Sequence, residues 1–321
     1  MSAFFDFLSK LSKIGLGCEQ LGGVDWGSYD LRETINAVRA ALDCGINVFD
    51  TANVYGLGRS EELLSKALGS KRNNVCIISK FGVYWNKNEG FKEKKRANTY
   101  FSAEPTLMRK SLESSLKRLK IESIPIFLLH WPVSNADYSE LIEELEKCKK
   151  EGKIQYYGIS NFYGNDLEKF LNTSKINFIE NSFNIIDRRP INEVFQYISS
   201  RDIGFFAYGV LAQGLLTGKY SNNSKFDNTD RRFRLDHFKK IYKYSQLLDY
   251  LQLISKEYNC SQSQLAIKWV VSNKNVTSAI VGAKNSNQVV NNFKASDIDI
   301  KEDILIKISE LVQSIDENAN S

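Results

Sequence analysis

The sequence predicts an α/β fold: a closed (β/α)8 barrel of eight parallel strands with helices around them. Three observations predict it. Eight short runs are apolar at successive positions and often rich in Ile, Val and Phe, the pattern of strands buried on both faces. Each run is followed by at least one amphipathic helical stretch, and regular alternation of this kind implies parallel strands joined by right-handed crossovers. The alternation occupies nearly all of the 321 residues, with no linker, internal repeat or low-complexity tract. Eight such units suit a closed barrel better than an open sheet. A single domain over residues 1–321 is therefore expected.

The first strand is Lys13–Gly17, followed by a helix over Leu31–Leu42. In that helix Leu31, Ile35, Val38, Ala41 and Leu42 make one apolar stripe, and Asp30 with Glu33 resembles a capping box. Strand Ile46–Phe49 leads to helix Ser60–Leu68, and Val75–Ser79 to Glu104–Leu119. Ile124–Leu129 precedes Tyr138–Lys150, Ile154–Ile159 precedes Asn165–Leu171, and Ile176–Ile179 precedes Ile191–Ser199. Ile203–Ala207 is followed by two helices, Leu247–Tyr258 and Ser261–Val271, the second opened by Ser261 with Gln264 three residues on. The last strand, Val276–Val281, leads to helix Glu302–Ser314. Two long polar connections, about 81–101 and 209–240, both follow strands and so share one rim, where long loops usually serve function.

Composition excludes several classes. The net charge of +5 is too small and scattered to suggest nucleic-acid binding. Its two basic clusters, Lys92–Arg96 and Arg231–Arg234, read as solvated loop faces, with phosphate recognition as the alternative. Five scattered cysteines, Cys18, Cys44, Cys76, Cys148 and Cys260, contain no C-x-x-C pair, so neither a zinc site nor a redox pair is expected, and no metal is assigned. No run approaches the roughly 20 apolar residues that span a bilayer. Asp6 interrupts the short apolar N-terminal stretch, which reads poorly as a signal peptide, and a cytoplasmic location is expected.

All eight strands of such a barrel point their C-terminal ends at one mouth, where chemistry is placed. The residues there include Asp50, Lys80 and His130, then Ser160-Asn161, Glu180-Asn181, Tyr208 and Lys284. Singly, each has a structural explanation: an Asp caps a turn, a Lys is solvated, a His is hydrogen-bonded. Asp50, Lys80 and His130 on successive strands point jointly to catalysis. His237, in a charged loop, reads as surface. A two-domain dinucleotide-binding arrangement is disfavoured, because Gly15-x-Gly17-x-x-Gln20 and Gly56-x-Gly58-x-x-Glu61 both lack the third glycine.

From about Ile14 to Asn292 the chain resembles the aldo-keto reductases. The resemblance rests on Gly15-Leu-Gly17, Phe49-Asp50-Thr51-Ala52-Asn53-Val54-Tyr55-Gly56, Ser79-Lys80, His130-Trp131-Pro132, Gly152-Lys153-Ile154 and Gly158-Ile-Ser160-Asn161-Phe162. It continues through Ala207-Tyr208, Gly214-Leu-Leu-Thr-Gly218-Lys219 and Gly282-Ala-Lys284 with Gln288 and Asn292, all in family order. It implies a catalytic tetrad of Asp50, Tyr55, Lys80 and His130 for NADPH-dependent reduction of an aldehyde or ketone, a sugar or nucleotide-sugar carbonyl included. Tyr55 would give the proton. An unperturbed phenol, with a pKa of about 10, is too weak an acid for this, and the Lys80 ammonium is expected to lower it. Asp50 would hold Lys80, and a neutral His130 would orient the carbonyl oxygen.

The same carry-over places Ser160, Asn161 and Glu180 at the nicotinamide carboxamide and Tyr208 against its ring. Leu211, Gln213, Gly214 and Leu215 would meet the pyrophosphate through backbone N–H groups. Lys284, Gln288 and Asn292 would surround the adenosine end, where a cation favours NADPH/NADP+ over NADH. Trp26, Trp85 and Trp131 are expected to shape the substrate pocket. Glu180 departs from the family's usual Gln: a carboxylate accepts from the carboxamide but cannot donate to it. Lys80-Phe81-Gly82 also lacks the aromatic that many aldose-reductase-like members carry two residues after the Lys, and more resembles the bacterial and channel β-subunit branches. Two other functions fit the pattern: an NAD(P)-dependent sugar dehydrogenase, and a nucleotide-sensing binding module like the channel β-subunits.

Overall fold

The computed structural model describes residues 3–27, 30–86, 90, 92 and 97–320. Residues 93–96 of the basic run Lys92–Arg96 lie outside them. The strands are β1 (Ile14–Gly17), β2 (Val48–Asp50), β3 (Cys76–Phe81), β4 (Val83–Trp85), β5 (Thr99–Phe101), β6 (Ile124–Leu129), β7 (Ile154–Ser160), β8 (Phe178–Ser182), β9 (Gly204–Tyr208) and β10 (Ser278–Gly282). Eight of them close a parallel barrel in the order β1-β10-β9-β8-β7-β6-β3-β2. These are the eight runs read from sequence, with boundaries moved by at most three residues. The rim connection 81–101, expected as loop, carries the remaining two: β4 and β5 pair antiparallel, Val83 opposite Phe101 and Trp85 opposite Thr99.

Alternation along each strand builds two cores. Val48, Ile78, Ile126, Leu128, Phe206 and Ile280 point inward and fill the barrel. Phe49, Ile77, Phe127, Ile179 and Phe205, one position along, point outward beneath the helices. All six residues of β3 are consequently buried, which is why these strands read as unbroken apolar runs.

The helices are α1 (Ala3–Ser9), α2 (Leu31–Asp43), α3 (Arg59–Leu68), α4 (Pro105–Leu119), α5 (Ser139–Lys150), α6 (Gly164–Thr173), α7 (Arg189–Glu193), α8 (Phe195–Ile198), α9 (Asp236–Lys239), α10 (Ser245–Glu257), α11 (Gln262–Val271), α12 (Ser286–Phe293) and α13 (Glu302–Asn320). Asp30 caps α2 by accepting from the N–H groups of Arg32 and Glu33. Ser261 and Gln264 form the full reciprocal box at α11. The single helix expected over Ile191–Ser199 is instead two short ones, because Val194 leaves helical geometry at φ −131°.

Three helices were not expected: α1, α12 and the short α9 in the connection after β9. In α1, Phe4, Phe7 and Leu8 pack on Tyr156 and Phe178 at the N-terminal end of the barrel, with the Phe4 ring 5.3 Å from Tyr156 and 5.4 Å from Phe178. The helix therefore stoppers the end opposite the mouth. α12 begins at Asn285, whose side chain accepts from the Gln288 N–H.

Where β7 and β8 run closest, Gly158 is required. A Cβ there would lie 1.9 Å from the Phe178 carbonyl oxygen, a backbone atom that cannot swing away. Gly158→Ala is expected to destabilise the barrel by about 3 kcal/mol, read as a lower urea midpoint; an unchanged midpoint would contradict this register.

Candidate active site

The strand ends place the site. Asp50 closes β2, Lys80 lies at the penultimate position of β3, His130 directly follows β6, Ser160 ends β7 and Tyr208 ends β9. Glu180, within β8, lies level with Ser160. All of these but Lys80 line a cleft of about 860 Å³ that also reaches Lys284, Gln288 and Asn292.

Tyr55 comes from the turn between β2 and α3. That turn is locked by Ser60, whose hydroxyl donates to the Cys18 carbonyl at 2.7 Å and lies 2.8 Å from the Thr51 hydroxyl. Gly56, at φ +62°, lies so near Gly22 that a Cβ on it would meet the Gly22 oxygen at 2.3 Å. The backbone thus brings Tyr55 over the barrel axis with no room for a side chain beneath it.

Lys80 is fully buried. Its ammonium donates to Asp50 Oδ1 and, at 3.1 Å, to the Thr51 carbonyl, and it lies 3.2 Å from Glu180 Oε1. It also stands 5.5 Å from the centre of the Tyr55 ring. Burial opposes its charge, but Asp50 and Glu180 together raise its pKa, so it stays an ammonium. The Tyr55 ring meets His130 edge-on at 5.8 Å. Burial, and then the Lys80 charge, push His130 well down, so the imidazole is neutral as expected. Its Nδ1 is buried without a hydrogen-bond partner among the described residues.

One electrostatic expectation is overturned. The Tyr55 pKa lies well above the ordinary phenol value, raised by burial and then by Asp50, Glu19 and Glu180. The family resemblance implied a lysine near a tyrosine; the structure shows that ammonium already held by two carboxyls, with the phenol out of water. Tyr55 therefore keeps its proton across the neutral range.

The polar wall is tightly bonded. Ser160 donates to the Glu180 carbonyl at 2.7 Å, and Asn161, at φ +67°, donates from Nδ2 to the His130 carbonyl at 2.9 Å. The Tyr208 hydroxyl donates to Asn161 Oδ1 at 2.6 Å. Glu180 Oε2 is buried, and the Trp26 indole Nε1 is buried without a partner among the described residues.

At the other end of the cleft, Lys284 Nζ donates to the Trp26 carbonyl at 2.7 Å, and the Gln288 side chain accepts from the Lys284 N–H at 2.8 Å. Burial, then Arg232, lower the Lys284 pKa. Within the run Arg231–Arg234, Phe233 and Arg234 are exposed, but Arg231 is half-buried and Arg232 buried. Arg231 donates to Glu19 at 3.0 Å and lies over the Trp26 ring at 5.4 Å, Arg232 is clamped on Asp230, and Arg234 reaches Asp25 at 3.1 Å. With the Trp26–Asp230 bridge, these contacts join the connection after β1 to the one after β9.

Ser160, Asn161, Glu180, Tyr208, Leu211, Gln213, Gly214, Lys284, Gln288 and Asn292 all line the cleft with Asp50, Tyr55 and His130. Leu215 does not, because its side chain is in the core. Ala212, Gln213 and Gly214 all have positive φ and coil the segment, but the N–H groups of Ala212 and Gly214 are turned back onto Gly209 and Leu211. Of the three tryptophans, Trp26 and Trp131 line the cleft; Trp85, on β4 against Thr99, does not. His237 is half-buried rather than surface, with burial lowering its pKa. Sequence reasoning missed Val54, Phe101, Lys219 and Tyr220 on the cleft wall, and Arg231 and Arg232 beside them.

The sequence profile described as the aldo/keto reductase family matches residues 13–313. The aldo-keto reductase YhdN of Bacillus subtilis is 32% identical over 287 residues, covering 87% of this chain and 83% of its own. An NADH-specific methylglyoxal reductase of Escherichia coli is 28% identical, covering 95% of this chain and 96% of its own. The solved structure of a glycerol dehydrogenase from Gluconobacter oxydans superposes with a TM-score of 0.84 at 30% identity, covering 94% of this chain and 91% of that one.

Proposed function

The chain belongs to the aldo/keto reductase family of oxidoreductases, and from that premise we propose that it reduces an aldehyde or ketone at the Tyr55 end of the cleft, using NADPH. The observation that carries this is the packing of a protonated phenol, a buried ammonium and a neutral imidazole within one barrel mouth. A bound reduced nicotinamide supplies the hydride; everything else is the work of side chains. Tyr55 gives its proton to the carbonyl oxygen, and the Lys80 ammonium stabilises the phenolate that forms. Asp50 fixes Lys80, and neutral His130 steers the oxygen.

The cleft suits the cofactor because its polar atoms converge where a carboxamide would lie. Ser160 and Asn161 stand there with Glu180, and Tyr208 is held by its hydroxyl so that its ring can flank the nicotinamide. Gln213 and Gly214 would border the pyrophosphate, and Gln288 and Asn292 the adenosine. Lys284, with Lys219 and Arg232 on the same wall, supports recognition of a 2′-phosphate. The aromatic mouth of Trp26, Phe101 and Trp131 suits a small carbonyl or a sugar ring. A second reading, oxidation of a polyol in the reverse direction, is favoured by the likeness to a glycerol dehydrogenase structure.

Nicotinamide absorbance, followed over a panel of aldehydes, ketones and sugars with NADPH and with NADH, tests the proposal. Turnover with NADPH preferred is expected, and Lys284→Ala should raise KM for NADPH about tenfold while moving KM for NADH little. Nucleotide binding without turnover would sink the enzymatic reading. An NADH preference that Lys284→Ala leaves intact would overturn the cofactor assignment.

A further inference from the structure

Glu180 lines the cleft, and its buried side chain meets both the Lys80 ammonium and the Asp50 carboxyl, with which it shares a proton. Oε1 lies 3.2 Å from the Lys80 ammonium, and Oε2 is buried. Several groups face it from the elements packed around β8. Asp50 comes from β2 and Lys80 from β3, Tyr55 from the turn after β2, and Tyr208 from β9. From β7 the Ser160 hydroxyl is already spent on the Glu180 carbonyl.

One ammonium thus serves two buried carboxyls. With both carboxyls ionised the trio carries a net negative charge; with one protonated it is neutral. Burial, and then the Asp50 charge, push the Glu180 pKa up to about 8. The site therefore gains its negative charge just above neutrality, through a side chain that lines the cleft.

We propose that Glu180 sets the preference of this cleft between the two oxidation states of the nicotinamide, drawing in the cationic oxidised ring when it is a carboxylate and treating both rings alike when it is an acid. The inference rests on the nicotinamide reading of the cleft. The oxidised ring carries a positive charge and the reduced ring none, so only the oxidised ring gains from a nearby carboxylate in a site of low dielectric. By linkage, the oxidised form binds more tightly as pH rises through the titration of Glu180, and its binding releases a proton there. A protonated Glu180 carries no charge, so the acid form holds no electrostatic preference between the two rings.

The test is equilibrium binding of NADP+ and NADPH to the whole protein by titration calorimetry, at roughly pH 6.5 and roughly pH 9, on either side of the Glu180 titration. In the wild-type protein, the affinity for NADP+ relative to NADPH is expected to rise about tenfold across this interval. Taking the ratio cancels the titration of the 2′-phosphate, which both forms share. Glu180→Gln, of nearly the same shape, should abolish the rise and leave the ratio at the higher pH about tenfold below wild type. A wild-type ratio that does not move with pH overturns the proposal, and so does a Glu180→Gln protein that keeps the wild-type response. If that variant does not fold, the wild-type ratio decides alone. Failure of both nucleotides to bind refutes the nicotinamide reading itself, a separate outcome from a constant ratio.

Discussion

Tyr55→Phe is expected to lower kcat for carbonyl reduction by about a thousandfold while leaving cofactor affinity within a factor of about two. The magnitude follows from how the other protons of the mouth are committed. The Tyr208 hydroxyl donates to Asn161, the Ser160 hydroxyl donates to the Glu180 carbonyl, and His130 is held neutral by burial and by Lys80. Tyr55 retains its proton because burial raises its pKa, and the Lys80 ammonium stands 5.5 Å from its ring to stabilise the phenolate once the proton leaves. Phenylalanine keeps the ring and its edge contact with His130 but has no proton to give. Steady-state rates together with calorimetric affinities check this; a variant that turns over at more than about a tenth of the wild-type rate contradicts Tyr55 as the donor.

Lys80→Met should cost both activity and stability. In the folded protein the Lys80 ammonium sits between Asp50 and Glu180, all three essentially out of water. Removing it leaves two carboxyls without a countercharge, a loss of about 3–5 kcal/mol at neutral pH. The sign with pH is fixed by linkage. Without Lys80 both folded-state carboxyl pKa values rise further above their unfolded values, so the folded state binds more protons than the unfolded state. Stability therefore falls as pH rises through that interval, and the gap to wild type is smallest near about pH 4 and widest above neutrality. Urea unfolding at about pH 5 and about pH 8 measures the gap; a gap that is equal at both, or larger in acid, contradicts the buried trio.

The barrel was legible because its strands are buried on both faces, and that condition writes itself along the chain as unbroken apolar runs. Asp50, Lys80 and His130 were legible because they directly follow, or end, those runs, whereas Tyr55, in the turn after β2, came only with the family resemblance. What escaped the sequence depends on partners distant in the chain. α1 is a seven-residue helix whose only reason to exist is the open end of the barrel, supplied by Tyr156 and Phe178. β4 and β5 pair across a connection that is polar throughout much of its length. Arg231 looked solvated because Glu19 and Trp26, the groups that hold it, lie some two hundred residues earlier. The direction of the Tyr55 shift was misread for a related reason: sequence shows which charges are present but not how deeply a phenol is buried. Nor does it show that Glu180 closes on Lys80 from beside Asp50. That departure from the usual glutamine is visible in the sequence, but its contact with the ammonium is not.

Transfer of deuterium from NADPH dideuterated at C4 to product is the most direct measurement of hydride delivery beside Tyr55. A carbonyl that the wild-type protein reduces should yield an alcohol with one deuterium on the carbinol carbon per NADPH consumed, and Tyr55→Phe should slow its formation without moving the label. An alcohol that carries no deuterium, or NADPH consumption without alcohol, would contradict carbonyl reduction by hydride transfer in this cleft.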